Sequence, residues 1–404
     1  MKLKRKFFIL ITVTLLAISL IAMSTKKNED AMPKIEITPA IRTMAESSNQ
    51  LGIDLFHLLA DKPENACYSP YSLYQALGMT YVGARGATAQ EMREVLHFPL
   101  DNQPLFQAFS NWQQYLKLAA TDVELQNANT IFYPSHLQLT NEFLQTNKQF
   151  FSVYPQIYYP SENIVEKINA WAKAHTKGKI TKILQQQPAG DLFLANAVYF
   201  YGEWQTAFSA EKTDDAPFFS ADGKPVQVPT MTGKLTVPYA ENDAWQMTEL
   251  PYKNENWALQ ILLPKQRGGL LKMSKLINSE LLNSLSSQLS PQEITLFLPK
   301  FELEAHYQCR QFLEKLGLQN AFANDDIMPD FSGITGIPEY WIEEVHHKAV
   351  LTVNESGSEA AAVTVVEMMR KGASPLFRAN HPFFFALVEK SSNTILFMGK
   401  VMMP

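Results

Sequence analysis

The sequence predicts an α+β fold dominated by large antiparallel β-sheets. Two long helical patterns occur in the first half of the chain, at residues 72–86 and 168–184. Aromatic and β-branched runs typical of strands are DLFLANAVYFYGEW, ITLFLPKF, HPFFFALVEK and TILFMGKV, and most of them come late. No linker of biased composition divides residues 35–404, so we expect this segment to form one domain.

Each predicted element has a local reason. SLYQALGMTYVGARG has apolar residues at helical spacing and a glycine-rich exit. INAWAKAHTKGKITKIL is amphipathic, and Gly178 interrupts it. The strand runs combine β-branched and aromatic residues, which fit a pleated, half-buried surface.

The composition is that of an ordinary globular protein, with 46% hydrophobic and 19% charged residues among 404. A net charge of −5 predicts no general affinity for nucleic acid or for anionic membranes. The cysteines, Cys67 and Cys309, do not have the spacing of a metal site. We expect Cys67 to be a buried thiol rather than half of a disulfide.

Residues 1–34 are predicted to be a signal peptide or an N-terminal anchor, followed by a polar linker. The basic segment MKLKRK precedes the apolar run FFILITVTLLAISLIAM, and Ala22-Met23-Ser24 offers small residues for cleavage. Uncleaved, the run is just long enough to span a membrane. Either way the remainder is expected outside the cytoplasm, secreted into the extracellular space or the periplasm, and attached to a membrane only through this segment.

Motifs for catalysis are missing from the sequence. It contains no nucleophile elbow, no HExxH motif, no P-loop and no GxGxxG motif. His346 and His347 are adjacent in a strand pattern and should face opposite sides, so they do not readily chelate one ion. Ser69, Ser72 and His347 would form a triad only with a geometry that sequence does not supply, and a buried hydrogen-bonded cluster is the favoured interpretation. We therefore predict no enzymatic activity, no cofactor and no metal.

Several collinear segments resemble the serpin family. They are NACYSPYSLYQALGMTYVGARGATAQEM, INAWAKAHTKGKI, LANAVYFYGEW, VHHKAVLTVNESGSEAAA, FRANHPFFF and FMGKVMMP. Each is weak alone, but together they span roughly residues 40–404 and are specific. The resemblance implies a serpin fold, with three β-sheets, eight or nine helices and an exposed reactive-centre loop at about residues 355–375.

The resemblance also implies inhibition of serine proteases by a suicide-substrate mechanism. The protease cleaves the loop and forms an acyl-enzyme, and the loop then inserts as a new strand into the large sheet. The second interpretation is a non-inhibitory serpin that acts as a carrier, chaperone or partner-binding protein.

The start of the loop suits insertion. The predicted hinge residues are Glu355, Gly357, Ser358, Glu359, Ala360, Ala361, Ala362 and Thr364. One face of an alternating strand would carry the uncharged residues Ser358, Ala360, Ala362, Thr364, Val366 and Met368. Glu359 and Glu367 fall on the other face, and no proline interrupts residues 354–374. We expect the uncharged face to enter a core.

The cleaved bond is predicted by counting along the loop. In the family it commonly follows the seventeenth residue from the hinge glutamate, which from Glu355 gives Lys371–Gly372. A loop shorter by one residue gives Arg370–Lys371 instead. Both choices favour trypsin-like proteases, whose specificity pocket contains a carboxylate. Met369 or Met368 would suit chymotrypsin- or elastase-like enzymes.

The resemblance further implies a sheet-opening cluster of Ser69, Ser72, Asn196 and His347, with Trp204 beneath the first insertion point. Plain core packing is the alternative for each of these residues. The segment that matches the heparin-binding helix of some serpins holds one basic residue, Lys117, so heparin binding is not expected. We predict a monomer whose partner is a trypsin-like serine protease, held in a covalent complex.

Overall fold

The structure is a computed structural model that describes residues 36–187, 190, 192–323, 328–358 and 374–404.

Local capping signals explain where the helices begin. The Thr38 hydroxyl accepts a hydrogen bond from the Ile41 amide, and Pro39 occupies the first turn. Ser69 and Pro70 start the next helix in the same way. Within the described residues the α-helices are α1 (Pro39–Leu59), α2 (Pro70–Tyr81), α3 (Gly86–Val95), α4 (Asn102–Ala119), α5 (Asn141–Phe151), α6 (Ile164–His175), α7 (Gly269–Met273), α8 (Ser279–Gln288), α9 (Arg310–Lys315) and α10 (Ser332–Thr335).

The strands form two hydrogen-bonded ladders. They are β1 (Ala66–Tyr68), β2 (Val123–Pro134), β3 (Gln156–Tyr158), β4 (Phe193–Glu203), β5 (Thr213–Phe219), β6 (Pro225–Glu241), β7 (Trp245–Pro251), β8 (Trp257–Pro264), β9 (Ser290–Pro299), β10 (Phe301–Gln308), β11 (His346–Val353), β12 (Gly357–Ser358), β13 (Leu376–Arg378), β14 (Phe383–Glu389) and β15 (Thr394–Val401). The predicted α+β class with antiparallel sheets is confirmed.

The larger ladder has the order β1-β15-β14-β8-β7-β6-β9-β13, with β5 also on β6. Strand β6 is 17 residues long, and it pairs with β5 near its start and with β7 at its end. Two groups of strands therefore share one long strand. If these two groups are counted as separate sheets, they and the smaller ladder give the three sheets that the serpin resemblance implies.

The smaller ladder has the order β10-β11-β4-β2-β3, with β12 also on β4. Its outer face is covered by α6, whose Ile164, Ile168 and Ala172 pack with Ala195 and Ala197 of β4. Its inner face meets the larger ladder, where Phe200 contacts Trp257 with ring centroids 5.4 Å apart. Residues of β4 therefore alternate between two buried layers.

The segment Ile37–Pro404 forms one compact unit. Among the described residues, no helix is both long enough and apolar enough to cross a membrane. The apolar run at residues 7–23 lies outside them, and so does the rest of the predicted signal or anchor. Cys67 and Cys309 are both buried free thiols.

Candidate functional site

The candidate site is the boundary between β4 and β11. The two strands are parallel and pair over three residues, from His346 with Ala195 to Lys348 with Ala197. By contrast, β10 pairs with β11 over its whole length, from Phe301 to Gln308, and β2 pairs with β4 over ten residues. Among the described residues, the β4–β11 contact is thus the shortest seam at the centre of this sheet.

A polar cluster lies beneath this seam and connects it to α2. The Ser69 amide donates to His347 Nε2 at 2.9 Å, and the Ser69 hydroxyl caps the helix by accepting from the Ser72 amide. The Ser72 hydroxyl donates to Asn196 Oδ1 at 2.6 Å. Asn196 Nδ2 in turn donates to Asn129 Oδ1 at 2.5 Å and to the Ser72 carbonyl at 3.1 Å. All four residues predicted for the cluster therefore meet in one buried network.

His347 is the member of this cluster whose charge state matters most. Because its Nε2 accepts the Ser69 amide, the ring is neutral with its proton on Nδ1. Nδ1 is buried and has no hydrogen-bond partner among the described residues. Burial, with a smaller effect of His306, lowers the pKa of His347 to about 4. Protonation would both bury a charge and remove the acceptor for Ser69.

The other end of the boundary is occupied by the predicted hinge. After Val353 the chain turns back on itself, and hydrogen bonds join Asn354 and Gly357 in both directions. The returning strand β12 is antiparallel to β4, with Gly357 opposite Glu203 and Ser358 opposite Gly202. The first two strand residues after the turn thus already lie beside β4.

Gly357 is required by this geometry. Its φ is +146°, and a Cβ at this position would lie 2.0 Å from the Gly202 carbonyl oxygen. A side chain would therefore collide with the backbone of β4. The predicted flexible hinge residue is, in this arrangement, a residue that allows close approach of two strands.

Ser358 faces the interior of the molecule. It is 2% exposed, and its hydroxyl lies 2.8 Å from that of Tyr252. Burial raises the pKa of Tyr252, so its hydroxyl stays protonated. Ser358 thus occupies the inward face, as expected for the first residue to enter.

Trp204 lies at the hinge end of the β4–β11 boundary. Its ring stacks on Tyr252 with centroids 4.6 Å apart. Its indole nitrogen donates to the Asn354 carbonyl at 2.9 Å, and its amide donates to the Ser356 carbonyl at 2.8 Å. Trp204 therefore holds the hinge turn directly rather than only packing beneath it.

Glu355 anchors the turn from the other side. Its carboxylate lies 3.0 Å from the Lys300 ammonium and accepts the Thr213 hydroxyl at 2.9 Å. Burial opposes ionisation of Glu355, but hydrogen bonds and Lys300 outweigh it and lower its pKa. The hinge is thereby fixed between β5, the β9–β10 corner and β4.

Several predicted residues lie outside the described part of the chain. They are Glu359, Ala360, Ala361, Ala362, Thr364, Arg370, Lys371 and Gly372. The described hinge residues Glu355, Gly357 and Ser358 converge with Trp204 at the top of the boundary, whereas Ser69, Ser72, Asn196 and His347 converge at its other end.

Sequence reasoning missed the partners of these residues. Tyr252 and Lys300 sit in ordinary strand-like runs and carry no local signal. Asn127 and Asn129 do carry a local signal, because they alternate on one face of β2, opposite Val198 and Asn196 of β4. Two partly buried amides on one strand face indicate a polar contact beneath the sheet.

The family model for serpins, serine protease inhibitors, matches residues 46–404. Intracellular coagulation inhibitor 2 of Tachypleus tridentatus is 34% identical, covering 87% of this chain and 89% of its own length. An uncharacterised serpin-like protein of Thermococcus kodakarensis is also 34% identical, covering 90% and 86%.

Solved structures agree with the sequence relatives. Native tengpin, a thermophilic serpin, matches with a TM-score of 0.79 and 26% identity, covering 89% of this chain and 94% of its own. Human thyroxine-binding globulin complexed with thyroxine matches with a TM-score of 0.80 and 28% identity, covering 90% of this chain and 99% of its own.

Proposed function

This chain belongs to the serpin family and has its fold, and from this premise we propose that it inhibits trypsin-like serine proteases as a suicide substrate. Cleavage follows Lys371, or Arg370 in the alternative register, and traps the protease as an acyl-enzyme while the loop inserts beside β4. The relatives support inhibition in general: one is named as a coagulation inhibitor.

The observation that carries the proposal is the position of β12. The antiparallel pairing of Ser358 with Gly202 is the register that an inserting strand would continue along β4. Because strand residues alternate, extending it places Ala360, Ala362 and Thr364 on the buried side with Ser358. Glu359 falls on the opposite face. The small, uncharged residues are thus the ones that would enter the core.

Insertion has a physical driving force in this arrangement. The described pairing across the seam joins β4 to β11 over residues 346–348 and to β12 at residues 357–358. A strand inserted between β4 and β11 would make backbone hydrogen bonds on both sides along its length. Each such bond would contribute to the stability of the inserted state. Such a protein is held in its native state kinetically.

Specificity follows from the loop composition. A trypsin-like protease desolvates the basic side chain against a carboxylate at the base of its pocket, and this contact excludes apolar residues. In this proposal the protein itself performs no catalysis and uses no cofactor. It acts outside the cytoplasm as a monomer, with the inhibitory domain formed by residues 35–404.

Denaturing gels of the purified protein mixed with trypsin test the proposal. We expect a covalent band at the summed mass and a new N-terminus at Gly372. A Lys371→Ala variant then loses the complex, whereas Arg370→Ala keeps it; the reverse pattern moves the cleaved bond to Arg370–Lys371. Cleavage with no covalent band at any protease ratio would contradict inhibition of this class.

A carrier function is the second candidate, and one cavity favours it. A pocket of about 390 Å³ lies between α1, α8 and the β14–β15 pair, lined in part by Ile53, Leu282 and Val388. The structural relative thyroxine-binding globulin is a serpin that binds a small ligand. Titration with thyroxine, followed by intrinsic fluorescence, tests this function. Quenching that is abolished in Leu282→Trp, in a protein that does not trap trypsin, would favour a carrier over an inhibitor.

A further inference from the structure

Two histidines outside the hinge and the polar cluster face each other across β10 and β11. Nε2 of His306 lies 3.3 Å from Nδ1 of His346, and the ring centroids are 5.5 Å apart. In the register of the two strands, His306 pairs with Lys348 and His346 pairs with Gln308. The histidines are therefore diagonal neighbours on one face, at a distance that long side chains reach.

The neighbouring His347 points the other way, toward Ser69. This agrees with the expectation that His346 and His347 do not share an ion. The partner of His346 is instead a histidine 40 residues away in sequence, which adjacency could not reveal.

We propose that His306 and His346 form a binding site for a divalent transition-metal ion of the Zn²⁺ class. Imidazole nitrogens bind Zn²⁺ at about 2.0–2.1 Å, and at a tetrahedral angle two of them lie about 3.4 Å apart. The observed separation of 3.3 Å matches this without strand movement. Imidazole is also a preferred ligand of Cu²⁺ and Ni²⁺.

Both rings are available as neutral ligands. Burial lowers the pKa of both His306 and His346, and the pKa of His346 falls to about 4. Without metal, one facing nitrogen carries the proton and the other accepts it. When an ion binds, that proton moves to the far nitrogen of the same ring, so both facing lone pairs are free and no net proton is lost.

The charges around the pair are compatible with a cation. The Lys348 ammonium, opposite His306, contributes to the lowered pKa of His306, but it pairs with the Glu304 carboxylate at 2.6 Å and donates to the Lys182 carbonyl. On the other side the rings line an open cleft of about 1040 Å³, together with Glu343 and Glu344. Arg310 also lines this cleft, where it pairs with Glu314 at 2.9 Å.

The site has two protein ligands rather than three. In the described part of the chain, no three His, Cys, Asp or Glu side chains converge on one point. Water from the cleft would complete the coordination, so we expect a moderate affinity. The ion would join β10 to β11 next to the place where β11 pairs with β4, and would stabilise the intact protein by mass action. This inference is independent of protease inhibition.

Calorimetric titration of the purified protein with ZnCl₂ tests the site. We expect one saturable site, weakened at least tenfold in His306→Gln and in His346→Gln, because each leaves a single imidazole. The matched control is His136→Gln, an exposed histidine in a turn, which should bind like the wild type. No saturable binding to the wild type, or equal loss in the control, would overturn the proposal.

A measurement on the wild type alone covers the case in which a variant misfolds. Cu²⁺ binds such sites more tightly than Zn²⁺ does. The electron paramagnetic resonance spectrum of bound Cu²⁺ should show coupling to two imidazole nitrogens. Coupling to one nitrogen would contradict a site shared by His306 and His346.

Discussion

The two ends of the β4–β11 boundary are held together differently. At one end, three backbone pairs lie over a network of neutral serine, asparagine and histidine groups. At the other, two residues of β12 lie beside β4, and an ion pair and stacked aromatic rings fix the turn before them. Parting β4 from β11 would remove the backbone pairing at the first end, whereas at the second end two residues that could begin a new strand already lie beside β4. Opening should therefore proceed from the hinge toward the polar cluster.

The largest effect is expected from a charge at the hinge. Ser358→Glu places a carboxylate where the wild-type side chain is buried against Tyr252, at a cost of several kcal/mol. Trapping of trypsin should fall at least a hundredfold while cleavage continues, as measured by the ratio of complex to cleaved protein on gels. Glu359→Gln, on the opposite face by register, should trap normally. Equal loss in both variants would refute the inward assignment of Ser358.

The polar end should respond to pH. The pKa of His347 is about 4 in the folded protein, against an ordinary value near 6.5. The unfolded state thus binds more protons between these values, so stability is complete above pH 6.5 and falls as the pH approaches 4. One such group accounts for about 3 kcal/mol, and His346 adds in the same direction. Thermal unfolding across pH 4–7 measures this; a midpoint that rises on acidification would exclude it.

Asn196→Ala should weaken the same end without altering the hinge. It removes the 2.6 Å acceptor of the Ser72 hydroxyl, which keeps only the longer contact to Asn127, and it removes the donor to Asn129 Oδ1; such losses typically cost about 1–3 kcal/mol. We expect faster spontaneous insertion of the uncleaved loop, seen as loss of inhibitory activity during incubation at moderate temperature. Asn141→Ala, which replaces an exposed asparagine at the start of α5, is a suitable control. Unchanged inactivation would mean that the cluster does not resist opening.

The smallest effect is expected at the ion pair of the turn. Lys300 is 39% exposed, so Glu355→Gln should cost only about 1 kcal/mol, and added salt should reduce the difference. Because the pKa of Glu355 is lowered in the folded state, the contribution is present at neutral pH and lost on acidification. Denaturant unfolding with and without salt measures it. A difference that salt leaves unchanged would assign the effect to the Thr213 hydrogen bond.

Much of the fold could be predicted from sequence because its signals are local. Alternation and β-branched runs located β4, β9, β14 and β15, and the collinear motifs indicated the serpin family, which the comparisons confirm. The polarity pattern around Ser358 needed no tertiary information either. The contacts that position the hinge did need it, because Tyr252, Lys300 and Thr213 reach the hinge from positions 55–142 residues away, and chain folding alone brings them together.

The same limit applies to His306 and His346. Each occupies an unremarkable strand position, and their proximity depends on the register of β10 against β11. A shift of this register by one residue would move one ring to the opposite face of the sheet. Side chains on different strands acquire a shared function only once the pairing is known.

The antiparallel pairing of β12 with β4 also sets how far along β4 an inserted strand would extend. Ser358 lies opposite Gly202, so continuing the ladder to Phe193, the far end of β4, advances nine residues and brings residue 367 opposite it. At about 3.3–3.4 Å per residue, residue 367 would then lie roughly 30 Å from Ser358 along β4. The four residues from Met368 to Lys371 would extend past the end of β4. A protease attached there would therefore be held at the end of the sheet opposite the hinge, at a distance from Ser358 that the length of β4 sets.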